Sequence, residues 1–188
     1  MSDLTITNAG VSVTPNSAGS SISTGRKKII RVTPTLDTSQ YAQGDVLFTA
    51  TEIPNAVREV GGCSKLVGAY IFDKLDSSSD ITFVFSEGNT ALGAINEDAD
   101  ISDPNLLANN ICGISKMDND QATTGDKIVT SKIHQMLPGS GTAENNDNLM
   151  LLQAASDSTS VFVQGILTSS TTPTFADGDI QLILHIEY

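Results

Sequence analysis

Two histidines, two cysteines and two acidic runs are the places where this chain of 188 residues could do chemistry. Histidine changes charge near neutral pH, which suits it to proton transfer. Neither His134 nor His185 has a nucleophile close by in sequence. His185 alternates within the closing apolar stretch, on the side opposite Leu184 and Ile186. His134 follows a strand-like run, beside QMLPG. Both read as surface or interface residues. Cys63 and Cys112 lie far apart and in no zinc spacing, so two buried thiols are expected rather than a metal site.

In INEDADISD (95–103), Asn96, Asp98 and Asp100 alternate as oxygen ligands of calcium do. The helix–loop–helix calcium pattern then wants Gly at its sixth position and Glu at its twelfth. Ile101 and Leu107 stand there instead, so a solvated acidic loop is the better reading. A second acidic run, MDNDQATTGD (117–126), reads the same way. Glu97 and Asp100 could form a glycosidase-like carboxylate pair. Aromatic residues make up only 5% of the chain, with no Trp, which leaves little for a sugar to stack on. GGCS and GSG lack the Lys-Ser/Thr of a phosphate loop, and no nucleophile elbow or zinc motif occurs. The residues therefore offer no catalytic, cofactor-binding or metal-binding set, and the chain does not read as an enzyme.

Charge carries more information. The net charge is −12, yet the first 35 residues hold Asp3 against Arg26, Lys27, Lys28 and Arg31. A short basic arm thus precedes a strongly acidic body. That body would repel a phosphate backbone, which argues against nucleic acid as the partner. A basic arm on an acidic body suits self-assembly or docking on an acidic surface. No basic n-region with an apolar core opens the chain, and no run approaches a membrane span, so a soluble product of the cytoplasm with no membrane partner is expected.

The elements that must position these residues are strands. Charged residues are 17% and hydrophobic residues 39%, so Ser, Thr, Asn and Gln carry the polar balance, as in a strand-and-loop protein. Strand signals recur at 28–34, 45–50, 65–72, 80–86, 111–117, 127–133, 148–155, 160–169 and 179–188. Ile81, Phe83 and Phe85 face one way. So do Ile180, Leu182, Leu184 and Ile186, at the period of two of a half-buried strand. KLVGAYIF (65–72) is apolar on both faces, as a central strand should be. Turn-rich stretches such as SEGNT and GSGTAENNDN separate the strands. The pattern predicts an all-β fold: an antiparallel β-sandwich, jelly-roll-like, spanning 26–188 as one domain behind an extended N-terminal arm at 1–25. One or two short helices are expected. DPNLLANN (103–110) has Asp103 as N-cap and Pro104 at the first helical position. NAVREV (55–60) has Asn55 as cap and Gly61 as stop.

With the strands placed, YAQGDVLFTATEIPNAVREVGGCSKL followed by DITFVFSEGNTALGAINEDADISD resembles a broad family of small virion-associated proteins of tailed bacteriophages, the marine type especially. The close, TPTFADGDIQLILHIEY, resembles the family's end. The resemblance implies a β-rich structural part of a virus particle, present in repeated copies. From it we expect a capsid decoration (cement) protein on the outside of a phage head, a homo-oligomer and most plausibly a trimer, with the major capsid protein as partner. A tail, baseplate or head-fibre component is the alternative; a virion carbohydrate-active enzyme would need a carboxylate groove. Leu4, Ile6, Val11, Val13, Arg26, Lys27, Lys28 and Arg31 are the expected contact residues of the arm. In the link at 55–62, Val57 and Val60 are expected to pack inward. Arg58 and Glu59 should stay outside, with Arg58 pairing an acidic neighbour.

Overall fold

A computed structural model describes residues 6–8, 11–13, 27–75, 77, 79–99, 102–117, 128–134 and 150–188, the strands at 6–8, 11–13 and 128–134 by their backbone. In chain order the strands are β1 (Ile6–Asn8), β2 (Val11–Val13), β3 (Lys27–Val32), β4 (Val46–Ile53), β5 (Cys63–Asp73) and β6 (Ile81–Ser86). A helix α1 (Asp103–Asn109) follows, and then β7 (Ile111–Met117), β8 (Ile128–His134), β9 (Met150–Gln153), β10 (Val161–Leu167) and β11 (Ile180–Glu187). All strand pairing is antiparallel. β1 and β2 form a ribbon of their own, and the other nine make one array that folds over a shared core.

That array is a sandwich of two layers. The first runs β3-β11-β5-β9 and the second β7-β6-β10-β4. β8 bridges them: Ile128–Thr130 pair with β5 and Ser131–His134 with β7. Such a strand turns a corner between sheets. β11 alternates as its sequence demands, with Ile180, Leu182, Leu184 and Ile186 buried in the core. Opposite them lie Ile81, Phe83 and Phe85 of β6 and Val161, Val163 and Leu167 of β10. Each fully buried side chain of this size contributes about 1.5–3 kcal/mol. Gly165 lies directly beneath the Phe48 ring, where a Cβ would collide with it.

Tyr41 closes one end of the sandwich. It is fully buried, meets Phe175 edge-on at 5.9 Å, accepts a hydrogen bond from the Asp37 amide (2.6 Å) and donates one to the Leu47 carbonyl (3.1 Å).

Several expectations are corrected. Residues 55–60 form no helix. Asn55 takes φ 52° and Gly61 φ 69°, and the link's amides bond across the molecule: Val57 to the Thr159 carbonyl (3.1 Å) and Gly61 to that of Ser158 (2.9 Å). Without a helical period Val57 is buried but Val60 is 62% exposed. The cap of α1 is Ser102, in extended conformation, so Asp103 is the first helical residue and Pro104 the second. Cys63 is exposed rather than buried, because alternation at the start of β5 turns Ser64 and Leu66 inward. Further along, a bulge opposite His185 shifts the phase, so Ala69 and Ile71 point in while Tyr70 and Phe72 face out, half-buried. KLVGAYIF is thus apolar on both sides because it contains a bulge. His134 lies within β8 rather than after a strand. Within the expected arm at 1–25, the described residues are those of the β1–β2 ribbon.

Candidate functional site

The two layers differ in what covers their outer faces. Over the second layer lies the connection between β6 and β7, residues 87–110, which carries α1. Val84, Leu92 and Ile166 are buried beneath it, with Ala99, Leu106, Ile111 and Ile114 packed against them. Buried amides fix this lid. Gln164 accepts from the Leu92 amide and donates to the Thr90 carbonyl, both at 2.9 Å. Asn109 accepts from the Thr90 amide (2.9 Å) and donates to the carbonyls of Thr90 (2.8 Å) and Asn105 (2.9 Å). Its edge is tied to β4 by Val46 and Glu97 (2.9 Å) and by Ala99 and Gly44 (3.0 Å).

Among the described residues, no such connection lies over the first layer. Strand register sets out its outer face in rows. Lys27, Glu187, Lys65 and Leu151 stand side by side across four strands. Next come Ile29 and His185 over the bare backbone of Gly68, and then Arg31, Ile183 and Tyr70. The Tyr70 ring leans on His185 at 5.0 Å. Ile29 and Leu151 are each 50% exposed, while Ile183, Tyr70 and Phe72 are half-buried. At the first row a groove of about 280 Å³ is lined by Cys63, Ser64, Lys65, Leu151, Glu187 and Tyr188. The face is an apolar strip bordered by cations: Lys27, Arg31 and Lys65 are all exposed, and Glu187 is the carboxylate among them.

The expected arm residues divide accordingly. Lys27, Lys28 and Arg31 belong to β3, which among the described residues is an edge strand pairing only with β11. Ile6, Val11 and Val13 belong to the β1–β2 ribbon. Leu4 and Arg26 lie outside the described residues. Arg58 is exposed in the link between β4 and β5, beside exposed Glu59 and Val60. Alternation within β3 was readable beforehand. The apolar row of Ile29, Ile183 and Tyr70 was missed, since it exists only once β3, β11 and β5 are paired.

Chemistry is sparse. Among the described residues no three His, Cys, Asp or Glu side chains converge where a metal could sit. Asp98 is exposed, and Asp100 lies outside the described residues. The Cys63 thiol donates to Gln153 Oε1 (2.7 Å), and the Cys112 thiol reaches the Gln153 carbonyl (3.7 Å). Both cysteines are free, and burial pushes the Cys112 thiol pKa up. Among the described residues no helix is long and apolar enough to cross a membrane. No protein-family model, curated protein or solved structure matches the chain.

Proposed function

We propose that this chain is a structural protein of a bacteriophage particle: a capsid decoration protein that binds the outside of the head and stabilises the shell. The reading starts from the resemblance carried by residues 41–103 and by the closing TPTFADGDIQLILHIEY. We read the sandwich as a jelly roll, and nested pairing supports this. β6 pairs with β7, β5 with β9, β4 with β10 and β3 with β11, as in one long hairpin of eight strands rolled up. Viral shells use that architecture repeatedly. β8 is the extra strand.

The observation that carries the functional reading is the β1–β2 ribbon. It pairs with no other strand among the described residues. Ile6 stands across from Val13 and Asn8 across from Val11, so the three apolar residues fall in one alternating set and Thr7 and Ser12 in the other. A lone two-stranded hairpin is marginal in water. A surface beyond the chain's own sandwich has to complete it, and the major capsid protein supplies that surface. Each ribbon buries little, but a homotrimer at a local three-fold position multiplies the contact by avidity. The acidic body keeps the protein off nucleic acid. Neither catalysis nor a cofactor enters this role. The protein would be made in the host cytoplasm and reside on the virion surface.

Quantitative mass spectrometry of virions split into heads and tails tests this. Hundreds of copies with the heads are expected. A few copies with the tails would assign the chain to the tail, baseplate or head fibres instead. Absence from both fractions would overturn the virion reading.

A further inference from the structure

The covered and uncovered layers are complementary. The described residues of the lid include Glu87, Glu97, Asp98 and Asp103 and no Lys or Arg. From it projects Leu107, 77% exposed on α1, although its neighbour Leu106 packs inward. The opposite layer presents the inverse surface. Ile29 and Ile183 form its apolar strip with Tyr70, and Lys27, Arg31 and Lys65 border it. One face is an apolar knob among carboxylates; the other is an apolar strip among cations.

We propose that the uncovered face of one copy receives the acidic lid of the next, with Leu107 seated against Ile29, Ile183 and Tyr70. The occupant is a second copy because this chain itself carries both halves of the match. Two copies joined through these uncovered faces would set Lys27, Arg31 and Lys65 against their own counterparts, and like charges face to face are costly. The contact is therefore heterologous. A heterologous contact grows until rotation closes it into a ring. This deepens the homo-oligomer of the proposed function by naming its interface, and it concerns association in solution, whatever particle the copies later join.

Sedimentation of the full-length protein tests the inference. The wild type is expected to form oligomers whose apparent affinity falls at least about tenfold between about 0.05 and about 0.5 M salt. Reversing one face (Lys27→Glu with Arg31→Glu) should leave monomers. Reversing the other (Glu97→Lys with Asp103→Lys) should do the same. Mixed in equal amounts at low salt, the two variants should associate again, since the intact lid of one meets the intact strip of the other and the two reversed faces are once more of opposite sign. Leu107→Ser should weaken association at least about tenfold with an unchanged melting temperature, as expected of an exposed anchor. It carries the test should a reversed variant fail to fold. Three results would overturn the inference: a wild type that stays monomeric at high concentration and low salt, variants that keep the wild-type oligomer, or a mixture that remains monomeric. None of these changes the head-to-tail copy ratio in virions, so the two proposals fail separately.

Discussion

Tyr41 holds a buried hydroxyl between the Asp37 amide and the Leu47 carbonyl. Burial raises its pKa, and the nearby Asp37 and Asp45 carboxylates push the same way against the amide's opposite pull. The fold therefore favours the neutral phenol. Its contribution is complete below the unfolded pKa of about 10 and is lost as pH rises through the higher folded value. Tyr41→Phe should cost about 1 kcal/mol at neutral pH, from the lost hydrogen bonds. It should also flatten the fall in melting temperature between pH 9 and 11, on either side of about 10. The thiols give a second residue-scale prediction. Exposed Cys63 should react with iodoacetamide in the native protein well before Cys112, whose pKa burial raises. Peptide mapping after a short labelling pulse reads the order. Neither residue's setting was legible beforehand. The Tyr41 cage depends on Phe175, and the exposure of Cys63 depends on the phase at which β5 begins.

Strands account for most of what could be read in advance. Nine of them follow from apolar stretches, some alternating with period two, bounded by turn residues, and the structure places strands in all nine, with shifted ends. β10 departs from simple alternation because it is covered twice: Val163 faces the core, while Gln164 and Ile166 face the lid. Its Gly165 has no room for a methyl group under Phe48, so Gly165→Ala should destabilise by about 1–3 kcal/mol, measured by chemical denaturation. The link at 55–62 was misread as helical. Local pattern cannot reveal that its amides pair with Ser158 and Thr159, or that Tyr188 donates to the Asn55 carbonyl (2.8 Å). Those bonds hold the link in place between β4 and β5. It carries the chain from the second layer to the first, and its backbone is fixed on the way. Arg58 is outside that bonding, so Arg58→Glu should leave the melting temperature unchanged. If the outer side of the link meets a neighbour, the same change weakens assembly, read as oligomer mass at low salt.

At the scale of the molecule, the residues that carry the family resemblance work as scaffold. Gly44 takes φ 99° and bonds to the Leu167 carbonyl (2.9 Å), Asp45 accepts from the Ala42 amide (2.6 Å), and Gly93 lies against Val46. TPTFADGD supplies Pro173, whose carbonyl takes the Tyr41 amide (2.9 Å), and Phe175 beneath the same ring. Among the described residues, two parts are left without cover by the rest: the β1–β2 ribbon and the outer face of the first layer. The cluster of Lys27, Lys28 and Arg31 was legible in the charge distribution, although the structure places these residues in β3. The uncovered face was not, because it depends on which layer the 87–110 connection covers.

The central claim is that residues 1–25, with their ribbon, attach a complete sandwich to the phage head. Its most direct test compares the full chain with a form lacking residues 1–25 for binding to purified heads stripped of the protein. The account predicts that both forms fold with the same circular dichroism and melting temperature, and that head binding falls at least about tenfold without the ribbon, since avidity multiplies each lost contact. Equal binding by the two forms would contradict it.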